Sequence, residues 1–164
     1  MNKLDADALV RYGRSIPVPF TLSVISSVGQ ILDVKVFHVI RLLPSKRIVA
    51  AAEVEGKIFL VKIFIGAHSK RHFQRELSGA KKIAAAGVLT AALQWTGELK
   101  SASAHVLGFE FLEGSKDLFQ TLQDSEDNKV ESLLVSKLVP VIANLHKKGV
   151  LQNDIHPGNF LFLS

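Results

Sequence analysis

The chain has 164 residues, 48% hydrophobic and 21% charged, with no cysteine and no low-complexity tract. Such a chain folds around a proper core in one domain, which excludes a disordered tail, a disulfide framework, a thiolate metal site and a cysteine nucleophile. The net charge of +5 is uneven, because residues 1–82 carry 14 Lys/Arg against 6 Asp/Glu and residues 83–164 carry 6 against 9. A basic half suits phosphates or an anionic membrane surface, and a plain solvated Lys/Arg face has the same composition. The basic residues are not interleaved with aromatics in a recognisable binding module, so nucleic acid is not an expected partner.

In chain order, residues 4–13 suit a short helix, and Thr21–Ser27 alternates loosely as a strand. The 18 uncharged residues from Ser15 to Leu32 invite a membrane span. Pro17 and Pro19 break a helix there, and six polar side chains, Ser15 to Gln30, would need partners in lipid, so no span is expected. Asp5 and Asp7 stand where a signal peptide has its basic start. Val34–Leu43, Arg47–Val54 and Lys57–Ile65 read as an antiparallel meander, the last two strands joined by the tight turn Glu55-Gly56. His68–Ala86 has Phe73, Leu77, Ala80, Ile83 and Ala84 at helical spacing, with Gly87 as its stop. Ala91–Trp95 and His105–Leu112 are short strands, and a polar helix near Asp117–Gln123 follows. Asn128–Lys148 reads as a long helix with Leu134, Leu138, Val141, Ile142 and Leu145 on one face, kinked at Pro140. No internal repeat is present.

Two constellations carry chemistry. Lys62 lies among the apolar residues of Ile58–Ile65, so its ammonium either reaches an edge or meets a partner. Glu76 on the next helix shares a face with Phe73, Ala80 and Ile83, so the two charges suit each other. In kinases such a pair holds the lysine for nucleotide phosphates; a purely structural ion pair is the alternative. After the long helix, Gly149 and His156-Pro157-Gly158 impose a loop that places Asp154 five residues before Asn159. In D-x-x-x-x-N the carboxylate accepts a proton from a substrate hydroxyl and the amide oxygen ligates Mg²⁺ between phosphates. An ordinary turn whose Asp and Asn satisfy backbone groups is the alternative.

Other positions are less distinctive. The turn Leu43-Pro44-Ser45-Lys46-Arg47 stands where a phosphate-covering loop belongs, without its glycines. Backbone N–H groups of Ser45 and Lys46 and the cations of Lys46 and Arg47 are candidates for phosphate contact, a basic hairpin turn being the simpler reading. Backbone groups from Glu110 to Leu112 are candidates for holding a purine, against a plain core strand. His156 is expected to bond the backbone and orient Asp154, and His146 to cap the long helix. His68 and His72 lack an H-E-x-x-H pattern, so zinc is not expected.

With these residues assembled, about residues 38–164 resemble the bacterial lipopolysaccharide core kinases, which include heptose and Kdo kinases. The strings RLLPSKRIVAAAEVEGKIFLVKIF, KRHFQRELSGAKKIAAAGV and LHKKGVLQNDIHPGNFLF carry the resemblance. The resemblance implies an α+β, protein-kinase-like fold, with an antiparallel N-lobe sheet, one helix and the start of a helical C-lobe. Its expected divisions are an extension, 1–34, an N-lobe, 35–112, and a partial C-lobe, 113–164. It implies ATP and Mg²⁺ as cofactors, Lys62 as phosphate-contacting lysine, Glu76 as its partner, Asp154 as catalytic base and Asn159 as metal ligand. The implied reaction phosphorylates a lipid-linked core sugar at the cytoplasmic face of an anionic membrane. The D-x-H-P-G-N form is also similar to atypical protein kinases, with a protein acceptor, and a catalytically dead binding module is a further alternative. Five residues separate Asn159 from Ser164, and the second metal-binding Asp of a kinase would come later. Weak or no turnover is therefore expected of a fragment or truncated product.

Overall fold

Apolar residues at alternate positions of the first half suit strands with one buried face. The computed structural model describes residues 2–100, 104–124, 132, 134–151 and 156–162. Its first elements are β1 (Asn2–Lys3), α1 (Ala6–Tyr12), β2 (Phe20–Ser26), β3 (Ile31–Leu43), β4 (Arg47–Val54) and β5 (Lys57–Phe64). Then come α2 (Ser69–Ala85), β6 (Leu93–Leu99) and β7 (His105–Glu110). Asp5 starts α1 by accepting the Ala8 N–H at 2.7 Å, satisfying an amide that the helix cannot. Glu55 and Gly56 both have positive φ, 50° and 77°, as a two-residue hairpin loop requires.

The strand order is β1-β2-β3-β4-β5-β7-β6, and β2 also pairs with β6. The far edge of β2 is divided. Phe20 and Thr21 pair with β1, while Val24, Ile25 and Ser26 pair with Leu99, Glu98 and Gly97 of β6. The sheet therefore closes into a barrel, with β1 as a short added edge strand, so that β2 and β6 cover each other's edges where they pair. Gly97 permits the closing contact, because a Cβ there would lie 2.5 Å from Val24 Cγ1 and 2.7 Å from the Ile25 carbonyl oxygen. Within residues 1–34, β2 completes the barrel and α1 adds Ala6 and Leu9 to its core.

Phe20, Leu22, Val24, Val34, Val36, Ile48, Ala50, Val61, Ile63 and Val106 fill that core. A second cluster forms on the other face of β5 and β7, where Leu60, Phe64, Leu107 and Phe109 meet Phe73, Leu77 and Ala80 of α2. Both clusters lie in one compact unit, Met1–Ala80 with Ala91–Phe111; the other unit is Lys81–Thr90 with Leu112–Ser164.

In the second unit, β8 (Lys116–Asp117) pairs with β9 (Leu161–Phe162). Asp117 also caps α3 (Leu118–Gln123) in a reciprocal capping box with Gln120. A π-helical turn, Leu134–Leu138, leads into α4 (Val139–Lys147). Pro140 lies in the first turn of α4, where its missing N–H costs little. Residues 128–131 and 133, assigned above to this helix, lie outside the described residues.

Candidate active site

Alternation along β5 decides where Lys62 points. Val61 and Ile63 belong to the barrel core, so Lys62 falls on the opposite face with Leu60 and Phe64, which pack with α2. There its ammonium bonds Glu76 Oε1 and lies 5.1 Å from the centroid of the Phe109 ring, whose π face attracts a cation. The second oxygen of Glu76 is also occupied: Arg47 Nη1 donates to Oε2 at 3.3 Å. The three side chains are 24–28% exposed. A carboxylate so enclosed needs opposing charge, and here it has two cations.

The Pro44–Lys46 turn is strapped down. Lys46 N–H donates to Leu43 O and Ile65 N–H to Lys46 O, both at 3.1 Å. Gly66, at φ +80°, comes so near that a Cβ would lie 2.5 Å from the Ser45 carbonyl oxygen. Ser45 and Lys46 are exposed. The Lys46 amide, expected to meet phosphate, is spent within the hairpin, which leaves its ammonium for that role. Arg47, whose cation was also a candidate for phosphate contact, bonds Glu76. At the expected purine-binding segment, Glu110 N–H donates to Ala92 O at 2.8 Å. Leu112 O accepts from Ser115 N–H at 3.3 Å and Ser115 Oγ at 2.8 Å, so these two groups are engaged within the protein.

In the second unit Asn159 ends the 3₁₀ turn Pro157–Asn159, with its N–H donating to His156 O at 2.8 Å. His156 Nδ1 accepts the Gly158 N–H at 3.1 Å, which places the proton of a neutral ring on Nε2. The ring lies 5.8 Å from that of Phe119. This is the backbone bond expected of His156; Asp154, which it was expected to orient, lies outside the described residues. His146 is in the last turn of α4, and Gly149 N–H donates to its carbonyl at 2.9 Å. His68 and His72 meet edge to face at 6.4 Å. Burial lowers the pKa of His72, with Lys46, His68, Arg71 and Arg47 acting in the same direction. Among the described residues no group of three or more His, Cys, Asp or Glu is placed to hold a metal.

No protein-family model and no curated protein matches the chain. Solved structures do. Vaccinia related kinase 3 matches with a TM-score of 0.60 at 12% identity, over 94% of this chain and 49% of its own. A rhoptry kinase from Toxoplasma gondii gives 0.57 at 11%, over 99% and 54%. The fold is protein-kinase-like. The PknI kinase domain of Mycobacterium tuberculosis gives 0.51 at 16%, over 79% and 55%. The chain spans about half the length of these kinases. The bond from Arg47 to Glu76, which reasoning from the sequence did not foresee, accompanies the pairing of β4 beside β5.

Proposed function

We propose that the chain supplies the nucleotide pocket of an ATP-dependent phosphotransferase of the lipopolysaccharide core kinase type, acting on a sugar hydroxyl. The observation that carries this reading is the bond from Lys62 on β5 to Glu76 on α2, set in a protein-kinase-like fold. The donor set suits the cofactors: ammonium groups at Lys62 and at exposed Lys46 are chemically matched to phosphate, and the Asn159 side chain offers the hard oxygen that Mg²⁺ prefers. When bound, Mg-ATP supplies the phosphoryl group and the metal's neutralising charge. Glu76 holds the Lys62 ammonium in place, Lys62 steadies the phosphates, and Asn159 would hold the metal. Asp154 would accept the proton of the attacking hydroxyl, and the exposed basic surface would face anionic lipid at the cytoplasmic side of a membrane. Among the described residues no helix is long and apolar enough to cross it.

A protein acceptor is the second reading, favoured by the kinases whose fold this chain shares; an acceptor screen with core sugars and peptides separates the two. Calorimetric titration of Mg-ATP into the chain and into Lys62→Ala tests the pocket. Binding weakened at least about tenfold in the variant is expected of a lysine that meets phosphate in a partly buried site. Absence of binding by the unaltered chain would overturn the nucleotide reading.

A further inference from the structure

Arg47 follows the turn that stands where phosphates would be covered, yet its guanidinium is directed at Glu76. Each oxygen of that carboxylate has its own cation, Lys62 on Oε1 and Arg47 on Oε2. The pairing has a consequence for Lys62. An ammonium that turns to a phosphate gives up part of its bond to Glu76, and a carboxylate only 28% exposed would lose its counter-charge. With Arg47 on the second oxygen, Glu76 stays neutralised and α2 keeps its tether. The tether runs to a fixed point, because the Lys46 carbonyl accepts Ile65 N–H and Arg47 pairs with Phe64 at the end of β5.

We propose that Arg47 is a positioning residue of the nucleotide pocket: it holds Glu76, and through it α2, so that Lys62 is free to meet phosphate, and does not itself bind the phosphates. The proposal rests on the nucleotide reading above. Two measurements on the full chain test it, each made on the unaltered protein, Arg47→Ala, Glu76→Gln and the double variant. In calorimetry with Mg-ATP, Arg47→Ala weakens binding about tenfold, the Glu76→Gln background abolishes that effect, and Arg47→Lys recovers most of the affinity. An equal loss in both backgrounds means that Arg47 touches the nucleotide directly, which overturns the proposal. In urea unfolding, the losses from Arg47→Ala and Glu76→Gln are expected to be non-additive; additive losses overturn it. If the chain binds no Mg-ATP, the nucleotide reading fails, and the urea cycle alone still decides whether Arg47 holds Glu76.

Discussion

On one face of β5, Val61 and Ile63 enter the barrel among aliphatic side chains from β2, β3, β4 and α1; on the other, Leu60, Lys62 and Phe64 meet α2. The barrel side is dry and free of charge, with Val61 and Ile63 both at 0% exposure. The helix side carries the Lys62–Glu76–Arg47 triad, each of whose side chains is about a quarter exposed. The difference follows from solvation. A charge is tolerated where a partner and some water remain, so the strand that anchors the core on one side can offer an ammonium on the other.

Ile63→Ala is expected to have the largest effect, costing about 2–5 kcal/mol by urea unfolding, because the closed barrel cannot collapse onto the cavity. Leu60→Ala, on the partly open face, should cost distinctly less; equal losses would break the distinction between the faces. Next is closure itself. Gly97→Ala forces a Cβ into the Ile25 carbonyl and Val24 and should cost about 1–3 kcal/mol. Gly79→Ala, in α2 with nothing within 4 Å of its Cβ, should instead stabilise by about 0.4–1 kcal/mol. The smallest effect is a pH slope. Burial lowers the pKa of His105 from 6.5, with Lys70 assisting and Glu98 opposing, and its Nδ1 is buried with no partner among the described residues. The unfolded chain takes up this proton near the ordinary value while the folded chain resists it, so stability is full above about 6.5 and falls as the pH drops. Urea midpoints at about pH 7.5 and about pH 5.5 should differ less in His105→Asn, the slope from one such group being at most about 1.4 kcal/mol per pH unit. His72, also lowered, leaves a residual slope of the same sign.

Legibility in the sequence divided along the same lines. The meander, its Glu55-Gly56 turn and α2 were readable because alternation, turn chemistry and helical spacing are local, and β4 came out as expected at Arg47–Val54. The Lys62–Glu76 bond was readable too, since an ammonium among apolar neighbours needs a carboxylate and only one lay on the right helical face. The loose alternation of Thr21–Ser27 marked a strand but could not name its neighbours. The partner that closes the barrel, Gly97–Leu99, lies about seventy residues along the chain, and such pairing leaves no local signature.

From the residues themselves followed the strands, the helix behind them and the chemical need that joins Lys62 to Glu76, because each is set by side chains within a few turns or by the cost of an unpaired charge. Tertiary structure alone decided that residues 20–26 seal the sheet and that the second oxygen of Glu76 belongs to Arg47. The first depends on strands brought together from distant parts of the chain, where backbone register determines which groups can meet, and the second on how α2 packs across the β4–β5 hairpin.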